Sequence, residues 1–405
     1  MATDKHYDAI VLGLGAMGSA TLCHLAERGL RVCGIDQHAV PHDFGSSHGT
    51  VRVIRKAYFE HPDYIPLLDR AYELWEDLDA RAQHRLFVKN GVIVTGSPES
   101  ETIQGLERCY GEHDLPHEKL DCDAARERFT PFRVPDGHTL FYDPLGGHVY
   151  AEESLREHLR RAQAAGAELR LEEKALDWTA GASGVTVTTS KGRYAADRLV
   201  LTTGPWAGEF LSQQGIELTI TRKIQVWYGA KGFEGELDET FPCFAIEMDY
   251  GMFYGFPPLG QDGMKVGEHS GVDAVARPED AERGMTPEDG RPLLRFLGEV
   301  LPTFKPELKR FSVCLYSNTE DGNFIVDRHP DHDNVIFAAG FSGHGFKFAP
   351  VMGEILTDLA LNGATEQPIG FLRMDRLTKS RRGQSKSRKD LEDGLDPTTM
   401  GRPFT

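Results

Sequence analysis

The apolar residues of the first 36 positions follow the pattern of a strand, a helix and a second strand. Residues 8–12 form a short apolar run typical of a buried parallel strand, and Gly13 ends it. Residues 19–28 repeat apolar positions at a helical period, and Gly29 suits the C-terminal end of a helix. A second apolar run ends at Asp36. This order predicts one βαβ unit at the start of the chain.

Helical and buried-strand patterns return further along the chain. Residues 64–78 and 152–166 predict amphipathic helices. Residues 198–204 form a buried strand that meets a glycine, and 334–345 form a third apolar strand that runs into glycines. A helix is predicted after it, over 349–363. These segments indicate further α/β units of the same domain.

Two stretches between the α/β segments, 86–141 and 219–312, have a strand-like pattern instead. The chain therefore predicts an α/β (α+β two-domain) fold, in which a Rossmann-like nucleotide-binding domain is interleaved with a mainly antiparallel β-sheet substrate domain. The predicted bounds are 1–86, 146–216 and 318–372 for the nucleotide-binding domain, 87–145 and 217–317 for the substrate domain, and 373–405 for a polar C-terminal tail.

Composition narrows the class of partner. The 405 residues carry a formal net charge of −17. Nucleic acids and anionic membrane surfaces are bound by basic surfaces, so neither is expected as a partner. A small anionic molecule stays possible, because a few local cations suffice to bind it. The N-terminal apolar run is too short and too interrupted by glycine for a signal peptide or a membrane span, so a cytoplasmic location is expected.

The cysteines and the tail add little chemistry of their own. The six cysteines are widely spaced without a CxxC pair, so neither a metal site nor a disulfide framework is predicted, and a reducing compartment is expected. The tail carries six Lys or Arg between Lys379 and Lys389 with no acid among them. It is interpreted as a solvated end, with a docking arm as the alternative.

The sequence GLGAMG, directly after the first strand, has the GxGxxG spacing of a dinucleotide site. Gly13 permits the tight turn, Gly15 lets the backbone approach a pyrophosphate, and Gly18 allows the helix to pack closely on the strand. The phosphates would meet the helix N-terminus. Asp36, eighteen residues beyond Gly18, would accept hydrogen bonds from a ribose. The motif does not decide between FAD and NAD, which share the ADP half.

Further along the chain lie isolated groups with chemical potential. Each has an ordinary structural interpretation: an arginine pair is usually a surface feature, a lysine at a strand end is usually solvated, and a single histidine is usually a hydrogen-bonded structural group. They are Arg52 and Arg55, spaced one helical turn apart behind a glycine-rich loop; Tyr254 in YGFP; Lys265 and His269 in MKVGEH; and Lys347 in FSGHGFKF.

Together with Cys314 in VCLYSNT, these motifs resemble the monomeric sarcosine oxidase family, which includes N-methyltryptophan oxidase. The resemblance runs in order from the glycine motif through SHG, RxIRxAY, YGFP, KxGxH, CxYxxT and GFSGHGFKF, from about Tyr7 to Gly363. It implies an FAD-binding domain, a β-sheet substrate domain and a monomer. It also implies that Cys314 forms a thioether with the 8α-methyl carbon of the flavin. A small buried hydrophobe is the alternative interpretation of this cysteine.

The resemblance also implies roles for the isolated groups. Arg55 and Lys347 would bind the substrate carboxylate, as a guanidinium and a point charge suit a buried carboxylate. Arg52 would lie near the flavin and stabilise its reduced anion. The remaining implied groups are Tyr254 and His269, which would face the substrate and orient its amine, and Lys265, which would activate oxygen through its positive charge.

The implied cofactor contacts extend over the motifs quoted above. The residues implied to bind FAD are Gly13, Gly15, Ala16, Met17, Gly18, Asp36, Gln37, Ser47, His48, Arg52, Ala175, Cys314, Gly343 and Lys347.

The reaction implied by the resemblance moves two electrons from the C–N bond of a secondary amino acid to FAD. Water would hydrolyse the imine, and oxygen would reoxidise the flavin to give hydrogen peroxide. An N-methyl amino acid such as sarcosine would yield the primary amino acid and formaldehyde. N-Methyltryptophan and cyclic imino acids such as proline or pipecolate remain open as substrates. The alternative classes are a flavin dehydrogenase that uses a carrier protein, a flavoprotein that binds without turnover, and a nicotinamide dehydrogenase.

The chain departs from the family pattern at three positions. Thr50 and Val51 stand where family members have Asp and Thr, which puts the local hydrogen bonds to the flavin in doubt. Glu268 adds a carboxylate beside His269. If the segment is a strand, the Glu268 side chain should point to the opposite face from that of its neighbour.

Overall fold

The structure is a computed structural model that describes residues 5–130, 132–229, 241–271 and 273–378. Most of the predicted tail, including its basic cluster, lies outside the described residues, from 379 onward. Within the described residues the helices are α1 Ala16–Glu27, α2 Tyr64–Arg81, α3 Glu101–Glu112, α4 Cys122–Arg128, α5 Ala151–Ala164, α6 Gly208–Gln213, α7 Pro287–Val300 and α8 Ala349–Asn362.

The strands of the described residues form three sheets. They are β1 His6–Leu12, β2 Val32–Ile35, β3 Val51–Ile54, β4 Phe87–Val88, β5 Val92–Gly96, β6 Glu118–Asp121, β7 Thr139–Asp143, β8 Gly147–Tyr150, β9 Glu168–Arg170, β10 Ala175–Gly181, β11 Gly184–Thr189, β12 Arg193–Leu201, β13 Thr219–Gly229, β14 Cys243–Met248, β15 Gly251–Gly255, β16 Met264–Glu268, β17 Ala274–Val275, β18 Glu307–Asn318, β19 Ile325–His329 and β20 His332–Ala339.

The first sheet is parallel at its centre. Its order is β10-β11-β12-β1-β2-β9, and β20 also pairs with β12 and carries β19 antiparallel on its other side. Strand β1 shows why its sequence is continuously apolar. Ala9 and Val11 pack into the cluster formed with α1, α5 and α8, whereas Ile10 and Leu12 pack into a second cluster on the opposite face. Both faces of the strand are buried, as in doubly wound folds.

The second sheet is mixed and mostly antiparallel. In the described part of the chain its order is β17-β13-β16-β15-β14-β5-β7-β6, and β18 pairs antiparallel with β13 along its length. Helix α7 packs on this sheet through Leu293, Phe296 and Leu297, which lie in one apolar cluster with Phe253. A small third sheet, β3-β8-β4, completes the strands. The fold class predicted from the sequence is confirmed.

Four helices were not predicted from the sequence, the first of them the short α6, Gly208–Gln213. The stretch 86–141 was predicted to be irregular and strand-rich, but it contains α3 and α4, and the strand-like stretch 219–312 contains α7. Local signals for these helices do exist. The Ser100 hydroxyl accepts a hydrogen bond from the Ile103 amide at the start of α3, and Thr286 and Asp289 form a capping box at the start of α7.

The sheets fall into the sequence segments predicted for the two domains. Every strand of the first sheet lies within 1–86, 146–216 or 318–372, and the strands of the second sheet lie within 87–145 or 217–317, except that β18 ends one residue later, at Asn318. The domain bounds themselves stay a prediction. None of the helices in the described ranges is long and apolar enough to cross a membrane, and these ranges hold no group of His, Cys, Asp or Glu arranged to bind a metal.

Candidate active site

One large cavity runs from the carboxyl end of β2 to the face of the second sheet. Its volume is about 1340 Å³, and it is lined by residues of all three sheets, including Asp36, Arg52 and Tyr254. Pockets for drug-sized ligands measure roughly 300–1,000 Å³. This cavity is large enough for a dinucleotide together with a small second ligand.

The glycine motif shapes one end of the cavity. Gly13 has φ +86°, and a Cβ there would lie 2.5 Å from the carbonyl oxygen of Thr202, so only glycine fits. A Cβ at Gly18 would lie 1.8 Å from the carbonyl oxygen of Gly13. The first position thus serves the turn, and the last lets α1 pack tightly against the β1 end. Gly18 itself is not among the cavity-lining residues.

Asp36 is fixed by two backbone amides at the rim of the same end. Its Oδ2 accepts a hydrogen bond from Leu14 N at 2.8 Å, and its Oδ1 accepts one from His38 N at 2.9 Å. Each carboxylate oxygen has more than one lone pair. Asp36 lines the cavity and can therefore still accept from a ribose hydroxyl.

The N-terminus of α1 faces the cavity without an acidic or capping side chain. Gly15 is its N-cap residue and makes no side-chain cap, and the first turn holds no acid. The amide of Ala16 donates to Ser47 Oγ at 3.0 Å. Partly positive helix ends with free amides bind phosphate. With the cavity volume, this end fits the pyrophosphate of FAD.

The predicted FAD contacts divide into a cavity-lining group and two residues behind the wall. His48 and Gly18 do not line the cavity. His48 is 3 % exposed, and among the described residues its Nε2 has no hydrogen-bond partner. Burial, with the charges of Arg52 and Lys265, lowers the pKa of His48 to about 3, so the ring is neutral. The lining residues are Gly13, Gly15, Ala16, Met17, Asp36, Gln37, Ser47, Arg52, Ala175, Cys314, Gly343 and Lys347.

Cys314 lies on β18, at the middle of the cavity. Its thiol is buried, and Sγ lies 3.9 Å from Arg52 Nη2 and 3.9 Å from the carbonyl oxygen of Ser46. All six cysteines lie within the described residues, and Cys314 alone among them lines the cavity.

The arginine pair lies on and just after a strand rather than on a helix, which corrects the spacing of one helical turn expected from the sequence. Arg52 belongs to β3, and Arg55 follows the end of that strand. The β-branched residues Val51, Val53 and Ile54 favour the extended conformation. Both arginines still line the cavity, because the chain turns after β3.

Arg55 is held by an internal carboxylate. Its Nη2 donates to Glu60 Oε1 at 2.6 Å and Oε2 at 2.8 Å, and its Nη1 donates to the carbonyl oxygen of Ala57. Burial raises the pKa of Glu60, but the charges of Arg55, His344 and Lys347, together with the hydrogen bond from Arg55, outweigh burial and lower the pKa to about 2. A ligand carboxylate must therefore use the remaining N–H groups of Arg55 or displace Glu60.

Lys347 supplies the second cation. It lies in the turn before α8 and is 5 % exposed, and its Nζ donates to the carbonyl oxygen of His344 at 2.7 Å. Both cations lie over the ring of Tyr58: Lys347 Nζ is 4.9 Å, and Arg55 Cζ is 4.6 Å, from the ring centroid. Burial, followed by the Arg55 charge, lowers the pKa of Lys347 to about 7. An anion bound between Lys347 and Arg55 would offset both the burial of the lysine charge and its repulsion by Arg55.

Tyr254 and His269 lie on the cavity face of the second sheet. Tyr254 pairs across β15 and β16 with Gly267, where a Cβ would lie 2.5 Å from the Tyr254 hydroxyl. His269 Nδ1 lies 3.3 Å from the hydroxyl of Tyr316. Burial raises the pKa of Tyr254 to about 12 and lowers that of His269 to about 4. Both groups are neutral hydrogen-bonding groups at ordinary pH.

Lys265 lies one layer behind the cavity wall. It is 1 % exposed, and its Nζ donates to the carbonyl oxygens of Gly49 at 2.7 Å and Val51 at 2.8 Å. Nζ also lies 5.4 Å from the Trp227 ring and 5.1 Å from the Phe256 ring. Burial lowers the pKa of Lys265 well below its ordinary value.

The three departures from the family pattern have distinct surroundings. Thr50 has φ +65°, and its hydroxyl accepts a hydrogen bond from Arg310 Nη2 at 2.6 Å. Val51 is buried in the main apolar cluster. Neither residue lines the cavity. Glu268 lies outside the cavity lining as well, and its Oε1 accepts a hydrogen bond from Ser270 Oγ.

Sequence reasoning missed several cavity residues. Glu60, which binds Arg55, and Tyr316, which contacts His269, were not predicted, although Tyr316 lies inside the quoted VCLYSNT motif and Glu60 lies two residues after the RxIRxAY motif. Tyr58 and His344 form a hydrogen bond between the Tyr58 hydroxyl and His344 Nδ1. Glu60 lies five residues after Arg55, and Tyr316 lies two residues after Cys314. The short spacing of a polar side chain from a motif residue is the signal that could have identified both.

Comparison with known proteins places the chain in a family. The FAD dependent oxidoreductase family matches residues 8–359. The chain belongs to this family. It is 39 % identical over 377 residues to monomeric sarcosine oxidase of Streptomyces avermitilis, covering 92 % of this chain and 98 % of the relative. It is 34 % identical to N-methyl-L-tryptophan oxidase of Salmonella dublin, covering 92 % and 100 %. The resemblance found in the sequence motifs is confirmed.

A solved structure agrees with these relatives. NikD, described as an unusual amino acid oxidase essential for nikkomycin biosynthesis, superimposes with a TM-score of 0.81 at 28 % identity, covering 91 % of this chain and 97 % of that one. The chain is thus an FAD-dependent flavoprotein oxidoreductase, as its motifs predicted.

Proposed function

We propose that the protein oxidises N-methyl amino acids with FAD and oxygen, releasing formaldehyde and hydrogen peroxide. The observation that carries the proposal is the pair Arg55 and Lys347, two buried cations over one aromatic ring at the far end of a dinucleotide-sized cavity. Glu60 pairs with Arg55 and offsets one of the two positive charges, so the second charge is left for an anionic ligand. Sarcosine oxidase and N-methyltryptophan oxidase relatives support an amino acid as that ligand.

The residues at the other side of the pocket suit a secondary amine. Tyr254 and His269 are neutral, so they can donate to or accept from an amine without charging it. Arg55 and Lys347 would hold the carboxylate of the substrate, and Tyr254 and His269 would hold its amine. With both groups held, the carbon attached to the amine nitrogen can take only a few orientations. Bound FAD would supply the acceptor for the two electrons of the C–N bond.

Cys314 is proposed as the residue that holds FAD covalently. Support comes from its place on the cavity wall and from the Arg52 guanidinium beside its sulfur. No other cysteine in the described chain reaches the cavity.

Lys265 supports an oxidase over a dehydrogenase. An ammonium has three N–H groups, and two of them are used by the carbonyls of Gly49 and Val51. The same loop supplies Ser47 and Arg52 to the cavity. A negative charge arriving in the cavity favours the charged form of a buried ammonium, and that positive charge would stabilise the negative charge of reduced oxygen.

The proposal extends to the state of the protein. The name of the monomeric sarcosine oxidase relatives and the free, mostly buried cysteines support a cytoplasmic monomer. A single-chain mass by light scattering and fractionation of cells test these two statements.

The substrate within the class is open among sarcosine, N-methyl-L-tryptophan, proline and pipecolate. Oxygen-electrode traces with this panel, each with the matching primary amine as control, should show oxygen consumption for at least one secondary amine. Peroxide formation from none of them would exclude the proposed function.

Carboxylate binding should weaken as pH rises through about 7, the pKa of Lys347 in this structure. A carboxylate binds the protonated lysine. The lysine loses its proton above that pH, so the Kd of propionate should rise up to about tenfold per pH unit. Propionate has no amine to titrate. Perturbation of the flavin spectrum between pH 6 and 9 measures the Kd.

The matched control for this titration is Lys347→Arg, whose guanidinium stays charged over the whole range. It should bind propionate with little pH dependence. A wild-type Kd that is flat from pH 6 to 9 would show that Lys347 does not hold the carboxylate.

A further inference from the structure

Lys223 is a buried cation for which the reaction described above has no use. It lies on β13 directly opposite Cys314 of β18 and is 7 % exposed. It does not line the cavity. Burial lowers its pKa, whereas the carboxylates of Glu268 and Asp273 oppose that shift. Burying the charged end of a lysine costs free energy unless it is hydrogen-bonded, so the contacts of Lys223 bear on its role.

The Lys223 ammonium is bound to the turn that follows His269. Its Nζ donates to the carbonyl oxygen of Ser270, and to that of Gly271 at 2.7 Å. Among the described residues of this turn, backbone hydrogen bonds lie only at its two ends: the His269 amide donates to the carbonyl oxygen of Met252 at 2.8 Å, and the carbonyl oxygen of Asp273 accepts from the Arg222 amide at 2.8 Å. Two donor bonds from one side chain therefore fix the chain immediately after the histidine.

Two further contacts tie the same turn down. Ser270 Oγ accepts from the amide of Met252 at 2.8 Å and donates to Glu268 Oε1 at 3.2 Å. Arg222, the neighbour of Lys223 on β13, receives the end of the turn, because its Nη1 donates to Asp273 Oδ2 at 3.1 Å. Consecutive residues of one strand thus hold both ends of the turn.

Lys223 also contacts the partner of the histidine. Its Nζ lies 5.6 Å from the centroid of the Tyr316 ring, whose hydroxyl lies 3.3 Å from His269 Nδ1. Tyr316 and His269 line the cavity, while Lys223 stands behind them. Lys223 therefore contacts both partners of the hydrogen bond between Tyr316 and His269: the ring of Tyr316 and the backbone that follows His269.

We propose that Lys223 is a positioning residue, which holds His269 and Tyr316 in register so that the imidazole faces the substrate amine. The inference rests on the proposed function, which places the amine at His269. Glu268 and Ser270 belong to the same arrangement, because Glu268 Oε1 accepts a hydrogen bond from Ser270 Oγ. This contact gives Glu268, which departs from the family pattern, a structural role.

Lys223→Met should separate amine recognition from carboxylate recognition. The kcat/KM for the best secondary amine should fall about 10- to 100-fold, the usual effect of a slightly misplaced contact group. The Kd of propionate, measured from the flavin spectrum, should change less than about twofold, because Arg55 and Lys347 are untouched. Lys223→Arg, which can donate to both carbonyls, should restore most of the activity.

A second readout needs neither substrate nor flavin. The charged groups that act on His269 are Glu60, Lys223, Lys347 and Arg55. Removal of the Lys223 cation should raise the pKa of His269 above about 4, as measured by NMR of the imidazole, while burial, the largest cause of the low pKa, stays in place. Lys309→Met, at the exposed start of β18, is the control and should leave this pKa unchanged.

Opposite results are equally clear. An unchanged kcat/KM in Lys223→Met would overturn the proposal. A propionate Kd that rises as much as kcat/KM falls would also overturn it, because it would indicate a general disruption of the pocket. If Lys223→Met does not fold, Lys223→Gln, which keeps one donor group, gives the same comparison. Wild-type protein that oxidises no secondary amine would refute the proposed function instead, and a His269 pKa that is unchanged in Lys223→Met would separately refute the contact between Lys223 and the histidine.

Discussion

Replacing Lys265 by methionine should slow the reaction of the reduced enzyme with oxygen by about 100- to 1000-fold, the usual cost of removing one preorganised electrostatic group. Methionine fills a similar volume between the Trp227 and Phe256 rings but cannot donate to Gly49 or Val51. Anaerobic reduction by substrate should change far less, because Lys265 lies outside the cavity lining. Stopped-flow absorbance measures the two half-reactions separately.

The control for this experiment is Lys309→Met, an exposed lysine on the same sheet. Its oxygen reaction should match that of the wild type. A Lys265→Met enzyme that reoxidises at the wild-type rate would contradict the oxygen role. It would favour a flavin dehydrogenase that passes electrons to a carrier protein.

Replacing Cys314 by alanine should release the flavin from the denatured protein. Acid precipitation of the wild type should leave the yellow colour in the pellet, and that of Cys314→Ala should leave it in the supernatant. The physical reason is that Cys314 alone among the six cysteines lines the cavity. The non-covalent contacts of Asp36 and the α1 N-terminus stay intact, so the variant should still bind FAD when folded.

Cys33→Ala is the matched control, because Cys33 is just as buried but lies in the first sheet away from the cavity. Its flavin should stay with the pellet. Wild-type flavin that appears in the supernatant would show that the link is absent, and the family membership would stand without it.

The sequence carried most of the fold because its signals are local. The βαβ unit with Gly13 and Gly18 was predicted at its place, since tight turns and close packing demand glycine over a few residues. The amphipathic helices α2 and α5 followed from their apolar period. Helices α3, α4 and α7 were missed, because short helices inside strand-rich stretches depend on capping residues such as Ser100 and Thr286.

The site could be predicted only as far as its motifs reach. Arg55, Lys347, Tyr254 and His269 all line the cavity, as expected of residues that meet one ligand. Their pairing could not be predicted. The Glu60 carboxylate that occupies Arg55 acts across a turn, and the roles of such groups depend on tertiary contacts that no local pattern encodes.

The contacts of Lys223 and Tyr316 illustrate the same limit. These two residues lie 93 positions apart in the chain and meet only because β13 pairs with β18 along their whole length. Strand register is set by packing of whole faces, so a sequence alone does not bring such residues together.

Product stoichiometry with the best N-methyl substrate tests the central claim most directly. Formaldehyde, the demethylated amino acid, hydrogen peroxide and consumed oxygen should appear in equal amounts during turnover by the purified enzyme. Oxygen consumption without formaldehyde would show that a bond other than the N-methyl C–N bond is oxidised. Absence of both with every secondary amine would contradict the account.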